Sequence, residues 1–385
     1  MVLYDIGIEV MAVMMDVDNV IEMHDSWLAV NSIVGCTNGC KYCFLQATND
    51  NLARPRVKAT AKDAIKFLFM SKFYDPKIPI CLLPNTDPFL NSTNISYTKE
   101  CLSLLEQHHV SNPVVLITKC LIPEDFINYL SELDKKGLKI IIYLSLSGLG
   151  KEYEPNINVT DIELNFRNLR TRGIRVIHYY RPFIPENSSS DSIKKVLDFV
   201  NDYTDVSLIC GLKVKEDFID NLKFWDVTST KRKACLDSLS VWPKSAYDYF
   251  FQDYTHPQNV FQINVCALAQ TLKQPCTQFY GTLECKKYNH CSEEQRSRCA
   301  LAKQNMNKNI GKELFKLLNK LGKFNDKIVI EQKDSEIILK NVDLTVGELS
   351  YLTYLLGYKI SIPKKSENDN YFNSALSNAK PLIVK

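Results

Sequence analysis

The chain has 385 residues, of which 45% are hydrophobic and 24% are charged, and its formal net charge is +3. These values predict a globular protein with a full hydrophobic core, and they exclude a disordered or collagen-like chain. The net charge is too small to indicate a nucleic-acid partner by itself. The apolar stretch at 8–15 is short and flanked by acidic residues, so we expect neither a signal peptide nor a membrane span. Thirteen cysteines then predict metal binding in a reducing compartment, and we expect a cytoplasmic protein.

Short apolar runs alternate with amphipathic stretches between residues 30 and 215. Strands are predicted at 29–34, 78–83, 113–117, 138–146, 174–180 and 206–210. Helices are predicted at 60–73, 97–109, 123–136, 161–172 and 191–203. Because parallel neighbouring strands need crossover helices, the alternation predicts an α/β fold with a parallel sheet. Ligands bind at the carboxyl ends of such strands, where the polar motifs fall.

The remaining chain is divided by its composition. We predict an N-terminal cap segment at 1–29, a main domain at 30–215 and an aromatic, cysteine-rich region at 216–310. A small α+β unit is predicted at 311–363, with a basic helix at 312–320, strands at 327–331 and 336–340, and a helix at 345–356. A polar, flexible tail is predicted at 364–385. We interpret the aromatic stretch at 225–251 as core packing, with a substrate-stacking surface as the alternative.

Three cysteines, Cys36, Cys40 and Cys43, have the spacing C-x3-C-x2-C, and Tyr42 directly precedes the last of them. Three thiolates in so short a loop can hold three irons of a 4Fe–4S cube and leave the fourth iron open. An open iron suits a cluster that binds and reduces a substrate. A zinc knuckle is the alternative, but structural zinc normally takes four protein ligands and no second cysteine pair lies near this loop.

The string at 35–46, Gly-Cys-Thr-Asn-Gly-Cys-Lys-Tyr-Cys-Phe-Leu-Gln, resembles the cluster loop of the radical S-adenosylmethionine (radical SAM) superfamily, in particular its spore photoproduct lyase branch. The resemblance covers about residues 30–215, where further short matches keep the branch's order, at 85–89, 117–120, 145–147, 154–155, 173–176 and 181–185. It implies a partial (β/α)6 TIM-like barrel. It also implies an enzyme that cleaves S-adenosylmethionine (SAM) reductively to a 5′-deoxyadenosyl radical, which abstracts hydrogen from a substrate. The electron would come from a reductant such as flavodoxin or ferredoxin.

The resemblance also implies which side chains hold the adenine and the methionyl ammonium of SAM. Tyr42 is expected at the adenine, as the aromatic at that position is in the family. Thr86 and Asp87 are expected at the ammonium, where a carboxylate suits a cation. An ordinary alternative stays open, because an aspartate before a proline can also cap a turn.

Four further side chains are implied for the rest of the cofactor. Lys119 is expected at the methionyl carboxylate, with a solvated loop residue as the alternative reading. Ser145 and Ser147 are expected at the ribose hydroxyls. Arg181 is expected at a carboxylate of the cofactor or of the substrate.

Two departures from the lyases concern the return of a hydrogen atom to the product. The cysteine that performs it in the lyases falls at Pro84 in this chain, and one of their two tyrosines falls at Phe44, which has no O–H group. We interpret nearby Cys81 as a core residue. We therefore predict different radical chemistry, acting on a peptide or a small metabolite.

Modification or repair of nucleic acid is the alternative function. It would use basic side chains as phosphate contacts, although such charge runs are usually solvated helix faces. The candidates are Arg54, Arg56, Lys58, Lys62, Lys66, Lys312, Lys316 and Lys320.

Five cysteines fall between residues 266 and 299, and His290 lies beside one of them. We predict a second, auxiliary 4Fe–4S cluster with Cys266, Cys285, Cys291 and Cys299 as ligands, and with Cys276 as the alternative to Cys266. Zinc bound by thiolates or by three thiolates and His290, and buried free thiols, are the other readings. An auxiliary cluster would favour oxidation or sulfur transfer over redox-neutral repair.

Overall fold

The computed structural model describes residues 17, 20–43, 45, 55–213, 240–276, 291–304, 310–333, 336–362 and 382–384. Its strands are β1 (Ile21–Met23), β2 (Leu28–Val30), β3 (Ile33–Val34), β4 (Arg56–Val57), β5 (Ile80–Leu82), β6 (Val114–Thr118), β7 (Ile140–Leu144), β8 (Arg175–Phe183), β9 (Val206–Lys213), β10 (Ser240–Pro243), β11 (Asn259–Phe261), β12 (Val329–Lys333), β13 (Glu336–Lys340), β14 (Lys359–Ser361) and β15 (Leu382–Val384). Its helices are α1 (Ala61–Met70), α2 (Ser92–Gln107), α3 (Glu124–Lys135), α4 (Val159–Thr171), α5 (Ser190–Asn201), α6 (Lys244–Phe251), α7 (Asn264–Leu272), α8 (Glu293–Gln304), α9 (Ile310–Lys320) and α10 (Val346–Leu356).

Six parallel strands form the centre of the main sheet in the order β2-β5-β6-β7-β8-β9. Helices α1 to α5 supply the crossovers between them. The central strand β7 is buried at every residue, as expected for a strand covered on both faces. This confirms the predicted α/β fold with a partial barrel. Among the described residues, the outer strands β1 and β15 do not pair with each other, so the sheet is open.

Local signals explain where two elements differ from prediction. Helix α2 begins at Ser92 rather than at 97, because the Asn91 side chain accepts a hydrogen bond from the Asn94 N–H (2.9 Å) and caps the helix there. Strands β8 and β9 run further than predicted because they continue to pair as far as Phe183 opposite Gly211, beyond an irregularity in their register.

Helix α7 covers one face of the parallel sheet, and β11, which the sequence did not predict, extends the sheet by pairing with β9. Ala267 and Leu268 of α7 pack against buried strand residues, among them Tyr143 and Tyr179. The Tyr143 hydroxyl donates to the Asn264 side chain (2.5 Å) at the start of α7. Helix α7 is therefore fixed against the sheet by both apolar packing and a hydrogen bond.

The aromatic stretch supplies core packing wherever the structure describes it. Trp242 and Phe250 are buried, and the Trp242 ring stacks on Phe183 with ring centroids 5.2 Å apart. Trp225 lies outside the described residues. This supports the packing interpretation over a substrate-stacking surface.

Strands β9 and β10 approach each other closely at Gly211. A Cβ atom there would lie 2.4 Å from the Val241 carbonyl oxygen and 2.6 Å from the Trp242 ring. We expect Gly211→Ala to lower the free energy of unfolding by about 2 kcal/mol, because a backbone atom cannot easily give way. Gly150→Ala is the control, since a Cβ there meets nothing within 4 Å. Urea denaturation measures both, and equal losses would contradict the expected effect.

The strands β12, β13 and β14 form a sheet separate from the main sheet, and helices beside it contact the main domain; that residues 311–363 are a unit of their own stays a prediction. The Glu348 side chain of α10 is buried, and its carboxylate forms ion pairs with Lys72 of the main domain (2.8 Å) and with Lys323 (3.4 Å). The Ser350 hydroxyl donates to Asp25 (2.7 Å). Lys320 donates to the Tyr74 carbonyl and to the Tyr351 hydroxyl (2.9 and 2.7 Å), so this candidate phosphate-binding side chain already takes part in those contacts.

Candidate metal and cofactor site

The cysteine loop is held between the loops that follow β5 and β7. The Gly35 N–H donates to the Asn85 carbonyl (3.0 Å), and the Thr86 hydroxyl donates to the Gly35 carbonyl (2.5 Å). At the other end, the Lys41 N–H donates to the Tyr153 carbonyl (3.0 Å). These bonds place Cys36, Cys40 and Cys43 at the carboxyl ends of the parallel strands, where ligands bind in such sheets.

The three loop thiols are partly or fully buried and influence one another. Burial raises the pKa of the Cys36 thiol to about 12 and that of the Cys40 thiol to about 11, and it also raises the pKa of Cys43. The nearby cation of Lys119 opposes this rise in the pKa of Cys40 and of Cys43, as Arg181 does for Cys43. These thiols therefore keep their protons at neutral pH until a metal displaces them.

The loop offers three thiols, which is the number that a 4Fe–4S cube with one open iron takes and one fewer than structural zinc normally takes. Within the described part of the chain, no three His, Cys, Asp or Glu side chains are placed to hold one metal ion. In a 4Fe–4S cube each thiolate binds a different iron, so the thiols need not converge on one point. The cations of Lys119 and Arg181 next to the loop also suit a cluster that carries negative charge.

A buried carboxylate connects Tyr42 of the cysteine loop with Lys119 at the end of β6. Glu154, in the loop after β7, accepts a short hydrogen bond from the Tyr42 hydroxyl and a charged bond from Lys119 Nζ (2.7 Å). Lys119 Nζ also donates to the Ser145 carbonyl (3.2 Å) and lies 5.9 Å from the centre of the Tyr42 ring. An ammonium group has three donors, so these two bonds leave a third for an anionic ligand.

Thr86 and Asp87 join neighbouring loops of the site. The Asp87 carboxylate is buried and accepts from the Thr118 hydroxyl (2.7 Å), from the Lys119 N–H (2.8 Å) and from the Phe89 N–H (2.9 Å). Burial raises the pKa of Asp87, and these bonds oppose the rise. Asp87 therefore ties the loop after β5 to that after β6, and its contact with the cofactor ammonium stays a prediction.

Ser145 and Ser147 follow β7 and are both buried. The Ser147 hydroxyl accepts from the Leu149 N–H (3.2 Å), and its carbonyl accepts from Asn187 (2.7 Å). Their contacts with a ribose stay predictions. Between the two serines, the Leu146 carbonyl accepts a hydrogen bond from His178 Nε2 (2.9 Å). His178 Nδ1 forms a hydrogen bond with the Ser207 hydroxyl (2.9 Å).

We expect His178 to make the protein sensitive to acid. Burial lowers the pKa of His178 from 6.5 to about 4, so between these values the unfolded chain takes up a proton that the folded chain refuses. Folding stability should therefore fall by about 3 kcal/mol, through this histidine alone, as pH drops from 6.5 to 4. The measurement compares urea denaturation of the parent and of His178→Gln across this range, with the exposed His24→Gln as control. Parallel curves for the parent and His178→Gln would refute the expectation.

Arg181 lies on β8 beside the cysteine loop. Its guanidinium group donates from Nη1 to the Tyr179 hydroxyl and lies 4.9 Å from the centre of the Tyr179 ring. Its charge acts on the pKa of both Cys43 and Cys210. It therefore lies next to the cysteine loop, and its contact with a carboxylate of cofactor or substrate stays a prediction.

Two residues of the site were not assigned by the sequence analysis. Glu154 belongs to a matched motif, but its partners Tyr42 and Lys119 are distant in sequence, so its role is visible only in the fold. The Cys120 thiol shares hydrogen bonds with the Asn38 side chain, with Sγ 3.5 Å from Nδ2 and 3.7 Å from Oδ1. A thiol therefore lies beside the loop at the end of β6, while the residue at the β5 end is Pro84.

The described C-terminal cysteines form a second group around α7 and α8. Cys266 Sγ lies 3.5 Å from Cys276 Sγ, so the structure brings together two residues that the sequence analysis treated as alternatives. Cys299 Sγ accepts from the Cys276 N–H (3.3 Å). Cys291 is partly buried nearby, against the same core as Cys266. Cys285 and His290 lie outside the described residues.

The fold and the loop together define an α/β protein that carries three cysteines at the ends of its parallel strands. Among such proteins the chain resembles radical SAM enzymes, and the loop motif resembles spore photoproduct lyase in particular. No sequence profile of a known family matches the chain, and no curated protein matches it. Among the described residues, no helix is both long and apolar enough to cross a bilayer.

Three of the solved structures to which this structure is similar are the following. Spore photoproduct lyase complexed with dinucleoside spore photoproduct matches with a TM-score of 0.42 and 12% identity, over 53% of this chain and 63% of the lyase. SuiB from Streptococcus suis bound to S-adenosylmethionine matches with 0.38 and 16%, over 55% and 44%. A radical SAM methyltransferase from Sphaerobacter thermophilus matches with 0.37 and 15%, over 49% and 57%. The chain thus spans less than two thirds of the lyase, and likeness at these scores carries no argument about activity.

Proposed function

We propose that the chain is a radical SAM enzyme that holds a 4Fe–4S cluster on Cys36, Cys40 and Cys43. One observation carries the proposal: the three thiols stand at the strand ends together with the buried group of Tyr42, Glu154 and Lys119. When bound, such a cluster supplies an electron that splits SAM into methionine and a 5′-deoxyadenosyl radical, which takes hydrogen from the substrate. The chain's own residues position the cofactor and keep water from it.

Lys119 is the best-supported partner for the methionyl carboxylate. Its side chain is 13% exposed, and Glu154 fixes its position by the bond at 2.7 Å. Arg181 offers a second cation for a carboxylate of the cofactor or the substrate. Five further residues complete the proposed cofactor site. They are Tyr42 at the adenine, Thr86 and Asp87 at the ammonium, and Ser145 and Ser147 at the ribose.

The reaction is proposed to be of the oxidoreductase or lyase type, on a peptide or a small metabolite. The absence of a cysteine at Pro84 supports chemistry other than the lyase repair cycle. The C-terminal cysteines support a second metal centre, which the sequence predicts as an auxiliary 4Fe–4S cluster. A flavodoxin- or ferredoxin-like reductant would supply the electron, and the protein would act in the cytoplasm.

Cleavage of SAM tests the proposed activity without knowledge of the substrate. The full chain is reconstituted anaerobically with iron and sulfide, mixed with SAM and dithionite, and analysed for 5′-deoxyadenosine and methionine. We expect both products with dithionite and neither without it. Deuterium from solvent in the 5′-deoxyadenosine would show that an exchangeable site near the cofactor gives up hydrogen. Reconstituted protein that binds iron but never cleaves SAM would refute the proposal.

Modification or repair of nucleic acid is the second candidate, and Cys120 is the observation that favours it. A thiol at the carboxyl ends of the parallel strands can give a hydrogen atom to a carbon-centred product radical and become a thiyl radical. Four of the basic side chains are exposed on β4, on α1 and between them, namely Arg56, Lys58, Lys62 and Lys66, whereas Arg54 lies outside the described residues. Binding of a DNA or RNA duplex that weakens steeply with salt would support this function, and salt-independent or absent binding would favour the first.

A further inference from the structure

The pair formed by Cys266 and Cys276 results from the way α7 ends. Lys273 adopts a left-handed conformation (φ 53°) after the helix, and the Gln274 N–H bonds back to the Ala269 carbonyl (2.9 Å). This reversal returns the chain to α7 and brings Cys276 Sγ to 3.5 Å from Cys266 Sγ. The pair is therefore built by the backbone, close to the core that α7 forms with the sheet.

Cys299 of α8 presents its sulfur to the same place as a hydrogen-bond acceptor. It receives the Cys276 N–H (3.3 Å) and the Gln295 side-chain amide (3.4 Å). The buried Gln295 also donates to the Gln274 carbonyl (2.8 Å), which fixes α8 against the turn. The two bonds fix the Cys299 sulfur beside the backbone of Cys276.

The distance between Cys266 and Cys276 separates three kinds of site. A disulfide requires its sulfurs about 2.05 Å apart. Two thiolates on one tetrahedral zinc ion, each with a bond of about 2.3 Å, stand about 3.8 Å apart. In a 4Fe–4S cube the thiolates bind different irons and stand much further apart. The observed 3.5 Å fits neither a disulfide nor two ligands of one cube, and it fits both the edge of a zinc tetrahedron and a contact between two free thiols.

We propose that Cys266, Cys276, Cys299 and Cys291 bind one structural zinc ion. Cys291 is the fourth ligand because the Ser292 hydroxyl donates to the Gln270 side chain (3.2 Å) and so holds residue 291 beside α7. Among the described residues no three such donors surround a common point, so the proposed site requires the sulfurs of Cys299 and Cys291 to move towards the pair when zinc binds. The zinc joins α7, its turn and α8 over the covered face of the sheet. This site replaces the predicted auxiliary 4Fe–4S cluster and does not depend on radical chemistry at the other cysteines.

Metal analysis of the full chain tests this site. Protein purified without added iron is expected to carry about one zinc ion. The variant in which Cys36, Cys40 and Cys43 are all changed to Ala should keep that zinc. The variants Cys276→Ser and Cys299→Ser should each lose most of it. Cys101→Ser is the control, because Cys101 is a buried thiol on α2. Cobalt exchanged into the parent should give the absorption of a tetrahedral thiolate site, which Cys276→Ser lacks.

Removal of the metal keeps the test valid if a variant fails to fold. A chelator should lower the Tm of the parent, and added zinc should restore it. Mass spectrometry that finds a Cys266–Cys276 disulfide would overturn the proposal. Iron and sulfide that persist in the protein lacking Cys36, Cys40 and Cys43 would also overturn it, in favour of a cluster. Zinc content unchanged by Cys276→Ser or Cys291→Ser would refute the assigned ligands.

Discussion

Replacement of Cys36, Cys40 and Cys43 by alanine is expected to abolish reductive cleavage of SAM. The three thiols are the only thiol groups that this loop offers to iron, and burial keeps them protonated when no metal is bound. After anaerobic reconstitution, the variant should lack about four irons that the parent holds. Iron and sulfide analysis and the yield of 5′-deoxyadenosine measure the two losses.

The control for this variant is Cys101→Ala, because its thiol is buried but lies on α2 rather than in the cysteine loop. It should keep both the iron and the cleavage activity. If the triple variant still cleaved SAM, the loop would not be the site of the cluster. If the triple variant lost activity but kept its iron, the three cysteines would not be the ligands of the cluster.

The parallel sheet could be predicted because its strands are coded locally. β5, β6 and β7 are continuous apolar runs, since both of their faces are covered, and polar turns separate them from amphipathic helices. β10 and β11 could not be predicted in the same way. They are three or four residues long and exist because β9 offers them a partner. Their formation depends on contacts that no local pattern contains.

The cysteine loop could likewise be predicted, because the chemistry lies in the spacing of three adjacent residues. The group around Glu154 could not, since its carboxylate meets Tyr42 and Lys119 only when β6, β7 and the loop are assembled. The structure also gives Asp87 three donors from the chain itself, which a sequence cannot reveal. The choice between Cys266 and Cys276 depended on the turn after α7, where Lys273 takes a left-handed conformation that is uncommon for lysine.

The Lys119–Glu154 pair is expected to be strongly coupled, because its two side chains are only 13% and 3% exposed. Glu154→Gln leaves a buried ammonium without its partner, and Lys119→Met leaves a buried carboxylate. Each change should lower the free energy of unfolding by about 3 kcal/mol. The double variant should lose much less than the sum, because neither charge remains unpaired. Urea denaturation of the protein without added iron measures all four proteins of this cycle.

The exposed pair of Arg172 and Glu124, with side chains 40% and 75% exposed, is the matched control. Its cycle should give a coupling below about 1 kcal/mol, because water screens both charges. Additive losses at Lys119 and Glu154 would show that the pair does not hold the site together. Strong coupling in the protein without iron, together with weaker SAM binding by reconstituted Lys119→Met, would tie the same ammonium group to both stability and cofactor binding. The amide that Glu154→Gln introduces can still accept from Tyr42, so this variant separates the loss of charge from the loss of that hydrogen bond.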